Sequence, residues 1–393
     1  MNMSKALALE LDRPARRPHV AWGISLALGV ATLLLTRHSQ LPGLGGLVAP
    51  WALLILVLTL GRSTTMLALM PLLAYGSASV IGSALAGRDV ADAMRFFIVL
   101  LATILAFNVR PRTISQPWAL APVALQCVLI TALSVGLGVM QDPLVAGTVR
   151  EMAIENAWGD VYSFDGIYYR VQVIGNALIP LLFMVCLWER KKRFFHKAGL
   201  LVSALGLVAA GNLTYFIVAA LALALRYRSL LARQWLLLFL LIPLMAVSAI
   251  IFSGDAQEII DRKFEGSDSS MGVRFDQVDA AQRSFENSPA SLVFGAGLGA
   301  RFPDGKERNY SEFLYIELQA LYVTYQIGIL GMLLYMLTVA WCVRRRLNME
   351  GRSIFWLYML SGITNPYILD TNQIVMTMLL VHLFPARTTP PAP

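Results

Sequence analysis

Repeated apolar runs of about 14–24 residues, separated by short charged links, constrain this chain more than any other feature. A run of that length crosses a bilayer only as a helix, because every backbone N–H and C=O in hydrocarbon must be satisfied within the segment. Composition agrees. The chain is 57% hydrophobic and 14% charged, where a soluble domain carries about 25% charged residues. The alternating pattern of a membrane barrel is absent. The fold class expected is therefore an all-α polytopic membrane protein.

About twelve spans are expected, over 19–36, 46–61, 64–86, 95–109, 117–140, 171–188, 198–211, 213–225, 235–253, 313–342, 354–369 and 374–385. The short pair joined through Gly211-Asn212 reads either as two helices or as one broken element, which leaves the count open by two. Residues 1–18 form an N-terminal segment in which Arg13, Arg16 and Arg17 precede a full span, the pattern of an uncleaved anchor.

Charge sets the orientation. With the N-terminus in the cytoplasm, the inner segments hold 20 of the 32 basic residues and four of the 24 acids. Both termini are then expected inside. Two large loops, 141–170 and 254–312, lie outside, the second between the ninth and tenth spans. Residues 387–393 form a cytoplasmic tail. Cys127, Cys186 and Cys342 lie in or at the ends of apolar runs and read as small buried hydrophobes. No His/Asp/Glu cluster has metal-ligand spacing, so neither metal nor cofactor is expected. A nucleic-acid partner is not expected either.

The candidate functional residues lie on the outer side. The 141–170 loop is acidic and aromatic, readable as an interfacial belt or as a stacking platform for sugar rings. Arg170 closes it, at a span end where an arginine either snorkels to headgroups or binds an anion. Gln172 and Asn176 follow at helical i, i+4 spacing, a face expected to point into the bundle or a cavity. In the large loop, residues 272–286 predict a helix ended by Asn287-Ser288-Pro289. Arg274, Val278, Ala281 and Phe285 share its apolar face, whereas Arg283 lies among Asp276, Asp279 and Glu286. Arg274 needs a partner there, an acid of the protein or a phosphate. Phe294-Gly-Ala-Gly-Leu-Gly299 allows close backbone approach or an anion nest. The chain re-enters the membrane at Tyr310-Ser311-Glu312. Glu317, expected about one turn into the next apolar run, either pairs with an outer arginine or, with its pKa raised by burial, transfers protons. Thr364-Asn365-Pro366-Tyr367 interrupts a late span, and Asp370 is expected just beyond it at the outer surface.

Taken together, these residues resemble the bacterial O-antigen ligase / Wzy-type polysaccharide polymerase superfamily, whose layout is GT-C-like. Arg170-Val-Gln-Val-Ile-Gly-Asn176 is similar to the family's opening of a mid-chain span. Met271-Gly-Val-Arg274, Pro289 and Phe294–Gly299 are similar to its loop signature. Glu317-Leu318 followed nine residues later by Gly328-x-x-Gly331 is similar to the ligase element, with Glu317 where the ligases have histidine. That replacement points to the polymerase branch. The resemblance covers about residues 165–335.

The resemblance implies inverting, metal-independent glycosyl transfer at the periplasmic face of a bacterial inner (cytoplasmic) membrane, with the loops 141–170 and 254–312 as periplasmic loops. Donor and acceptor would both be undecaprenyl-pyrophosphate-linked oligosaccharides, and a chain-length regulator protein is a further expected partner. Arg170, Arg274 and Arg262 would bind the pyrophosphate. Glu317 would take the proton of the attacking hydroxyl. Glu312, Gln172, Asn176 and Tyr310 are secondary candidates. A ligase that hands the glycan to lipid A core or protein would share the chemistry. A glycan transporter without catalysis is the third reading.

Overall fold

The computed structural model describes residues 65–108, 116–156, 158–163, 167–173, 175–189, 194–227, 270–301, 308–310, 313–315, 318–362 and 369–386. The expected spans 19–36, 46–61 and 235–253 lie outside the described residues, as do Arg262, Glu312 and Glu317.

The described chain is mainly helical. In order, its elements are α1 (Thr65–Leu85), α2 (Val90–Leu105) with a 3-10 turn Ala106–Asn108, α3 (Gln116–Met140), α4 (Pro143–Glu155), β1 (Gly159–Ser163), β2 (Tyr169–Val173), a 3-10 turn Asn176–Leu178, α5 (Ile179–Trp188), α6 (Phe194–Ala210) and α7 (Leu213–Arg226). The second half comprises α8 (Ser270–Asn287), α9 (Pro289–Phe294), β3 (Arg308–Tyr310), β4 (Phe313–Tyr315), α10 (Gln319–Arg346), α11 (Met349–Ser361) and α12 (Thr371–Leu383). Among the described residues, three helical stretches, Val90–Asn108, Ala119–Met140 and Gln319–Arg346, are long and apolar enough to cross a membrane. Leu337 and Val139 on them are 68% and 79% exposed. Apolar side chains turned outward like this fit a protein whose solvent is lipid.

α5 is the axis of the bundle. All ten of its residues are buried, as expected of a helix that is apolar on every side. α6 packs between α5 and α3 at two glycines. A β-carbon on Gly199 would lie 2.7 Å from Cys186 Sγ, and one on Gly206 would lie 2.9 Å from Cys127 Cβ. Small residues at helix contacts supply close packing where lipid gives no hydrophobic drive to association.

The segment 171–188 is not one helix. Tyr169–Val173 is a strand, paired antiparallel with Gly159–Ser163 so that Tyr162 stands opposite Arg170 and Asp160 opposite Gln172. Helix begins only at Ile179, after Gly175 turns the chain at φ 95°. Gln172 and Asn176 therefore do not share a helix face. Asn176 serves as a tether instead: its Nδ2 donates to Val171 O at 2.7 Å, and its Oδ1 accepts from Gln126 Nε2 on α3 at 3.0 Å.

Helix ends gather in two groups. Arg346 Nη2 donates to Asn108 Oδ1 (3.4 Å), Asn348 N to Phe384 O (3.0 Å) and Ala386 N to Arg346 O (2.9 Å). At the opposite ends of α2 and α10, the α1–α2 turn meets the segment 294–301 and the start of α10.

Candidate functional site

The site is organised by a break in α10. Gly328 has φ 68° and ψ 174°, so the helix runs as two pieces meeting at this residue. A break in an apolar helix frees carbonyls that must be satisfied by other protein groups. Here the partners come from the glycine run. Ala296 N donates to Tyr325 O (2.7 Å) and Gly297 N to Gln326 O (2.9 Å). The Tyr75 hydroxyl on α1 lies within hydrogen-bond distance of Ile327 O (2.7 Å) and of Phe294 O (2.8 Å).

This arrangement corrects the anion-nest expectation. The N–H groups of Gly295, Ala296 and Gly297 go to Ser291 O, Tyr325 O and Gln326 O, and Leu298 N donates to Ser79 Oγ at 3.1 Å. The glycines permit docking of backbone on backbone. A β-carbon on Gly295 would collide with Gln326 O, and one on Gly328 with Val293 O. The sequence reading missed the other half of this joint, Tyr75, Ser79 and Ser83. These three lie at i, i+4 and i+8 on α1, a polar stripe on a largely apolar helix. Ser83 Oγ donates to Leu298 O at 2.7 Å.

The helix predicted over 272–286 is present as Ser270–Asn287. Its buried face is turned by about one residue from the expected one. Gln277, Ala280 and Ala281 are buried, whereas Val278 is 40% exposed. Arg274 is half-buried and Arg283 is exposed. α8 lies against the piece of α10 that precedes Gly328: Ala280, Ala281, Ala300, Tyr322 and Tyr325 form a second core, separate from that of the bundle. Tyr322 Oη donates to Ala300 O (3.1 Å) and Tyr325 Oη to Arg301 O (3.2 Å). Leu318 N donates to Gln277 Oε1 at 3.3 Å. An open groove of about 400 Å³, lined by Val278, Ala281, Gln282, Phe285, Glu286, Leu292 and Leu321, runs between α8, α9 and α10.

Tyr310 ends β3 and pairs with Phe313. Because β4 spans Phe313–Tyr315 and α10 starts at Gln319, the helix begins after Glu317 in the chain rather than a turn before it. Arg170 is half-buried and packs its stem on Gly211 at the α6–α7 turn, where an added β-carbon would lie 2.8 Å from Arg170 Cγ. Beside it, the Tyr168 hydroxyl donates to Val208 O. Burial pushes the Tyr168 phenol above its ordinary value, and the Arg170 charge partly opposes that rise. Of the expected aromatic platform, Tyr169 is only 7% exposed and belongs to the core. Arg150 pairs with Asp160 at 2.8 Å, clasping α4 to β1. Asp370, expected at the outer surface, is half-buried and caps α12 through Thr371 N.

The candidate arginines fall in two groups. Arg274 belongs to the lobe on α10, and Arg170 to the hairpin over α6 and α7. No protein-family model matches the chain, and no curated protein matches it in sequence.

Proposed function

We propose that this protein is a polysaccharide polymerase of the bacterial inner membrane. It would join undecaprenyl-pyrophosphate-linked repeat units on the periplasmic side, with both termini in the cytoplasm. The observation that carries this reading is the bond from Leu318 N to Gln277 Oε1. It holds the helix bearing Arg274 against the chain one residue after Glu317, and Arg274 lies one turn from Gln277 on that helix. A cation suited to a phosphate and an acid suited to a proton therefore belong to adjoining segments. The apolar groove between α8 and α10 fits a lipid-borne substrate.

The step balances without a further reactant. The acceptor hydroxyl oxygen bonds to C1 of the donor sugar with inversion. The C1–O bond to pyrophosphate breaks, and the leaving pyrophosphate keeps the electron pair. Arg274 and Arg262 would stabilise that departing charge, with Arg170 joining them only if the hairpin and the lobe line one cavity. Glu317 accepts the hydroxyl proton. Charged groups converging on a leaving group act only if they share one cavity, and the substitutions below test that requirement.

The test is Glu317→Gln in cells. Accumulation of single-repeat glycan supports the polymerase. Long chains that stay on the carrier and never reach lipid A core or protein would assign the chain to the ligases. The break at Gly328 is also a feature of transporters, which coordinate substrates with interrupted helices. Movement of lipid-linked glycan across liposomes by purified protein, with no chain growth, would favour that second reading.

A further inference from the structure

Arg88 is a cation that no part of the mechanism above uses. It follows α1 at the turn into α2, next to Gly87, and is half-buried. Its guanidinium lies across the α-carbon of Gly297: a β-carbon there would overlap Nη1 and stand 2.6 Å from Ser83 Oγ. The nearby carboxylates are committed elsewhere. Asp89 Oδ1 accepts from Ala91 N at 2.8 Å as the α2 cap, and Asp92 Oδ2 pairs with Arg301 Nη2 at 3.1 Å. The Arg88 backbone N–H donates to Ser83 O at 3.0 Å, and its guanidinium has no hydrogen-bond or ion-pair partner among the described residues. The guanidinium is thus placed by packing against a glycine notch, and its five donors are unused by the described residues. The N–H groups of residues 295–298 are already bonded, so any anion here must be held by the side chain.

We infer that Arg88 is a phosphate-binding residue, its ligand the phosphate or pyrophosphate of a lipid at this end of the bundle. The planar fork matches phosphate oxygens two at a time. Gly297 keeps the fork in place, since a side chain at that position would evict it. The inference rests on the proposed function only for which lipid carries the phosphate, either the glycan carrier or an anionic phospholipid.

Full-length protein in phosphatidylcholine nanodiscs is titrated with farnesyl pyrophosphate and, separately, with inorganic pyrophosphate. Phosphatidylglycerol retained per protein is counted by native mass spectrometry. Arg88→Gln should weaken at least one of the three by about tenfold, the loss expected for a charge-assisted bond. Arg88→Lys should fall between it and wild type. A loss for farnesyl pyrophosphate assigns the site to the carrier, and a loss for phosphatidylglycerol alone assigns it to headgroups. Unchanged binding of all three in folded Arg88→Gln overturns the inference, as does unchanged binding in Arg88→Lys should the glutamine variant not fold. Binding is read without turnover, so failure of the polymerase assignment leaves this result standing.

Discussion

Gly295 and Gly328 stand back to back. A β-carbon on Gly295 would lie 2.6 Å from Gly328 N, and one on Gly328 would collide with Gly295 N. Their backbones have φ 85°, ψ 160° and φ 68°, ψ 174°, a region essentially restricted to glycine. Gly295→Ala or Gly328→Ala should each cost at least about 1–3 kcal/mol, read as a fall in melting temperature of the purified protein. The double variant should cost less than the two singles together, because either one already separates the joint. Additive losses would mean that the two glycines act independently.

Tyr75 closes the same joint from α1. Tyr75→Phe keeps the ring and removes the hydroxyl from between Phe294 O and Ile327 O. A carbonyl deprived of its donor away from water costs about 1–3 kcal/mol. Thermal unfolding should show that loss. A melting temperature equal to wild type would show that the carbonyls find other donors.

The ion pair beside the joint should matter less. Arg301 and Asp92 have side chains 60% and 21% exposed, and exposed pairs contribute about 0–1 kcal/mol. Asp92→Asn should therefore change stability by under about 1 kcal/mol. Ser83→Ala, which strips the donor from Leu298 O, should cost more. The reverse order in unfolding experiments would contradict the account of what fastens the lobe.

Asp370 gives a pH signature. Burial raises its carboxyl above the ordinary value, opposed by hydrogen bonds from Asn372 and Thr371. A carboxyl raised in the fold contributes stability that is complete below its unfolded value and is lost as pH rises through the folded one. Melting temperature should fall over that window in the wild type. Asp370→Asn should remove this component, and an identical pH profile in the variant would refute the assignment.

Much of this architecture could be read in the sequence where the signal was local. The α8 helix followed from its period and from Pro289. The glycine run is readable as a place of close backbone approach. Its target was not legible, because Tyr325 and Gln326 lie about thirty residues further on and present backbone oxygens, which carry no sequence signature. The hairpin was legible but overlooked: Tyr169-Arg-Val-Gln-Val173 alternates with period two, and the apolar run that follows drew it into a helix. The stripe Tyr75, Ser79, Ser83 was equally available, since three polar groups at spacing four in an apolar helix need partners. Arg88 carried no local signal, because its meaning depends on Gly297.

The central claim is that arginines of the outer lobe and hairpin act with Glu317 on one lipid-linked pyrophosphate. Purified protein incubated with a synthetic lipid-linked repeat unit, without added metal, tests it most directly. A ladder of products from wild type, lost in Glu317→Gln and strongly reduced in Arg274→Gln and Arg170→Gln, is the result expected. No ladder from folded wild type, or a ladder that all three variants make equally well, would contradict it.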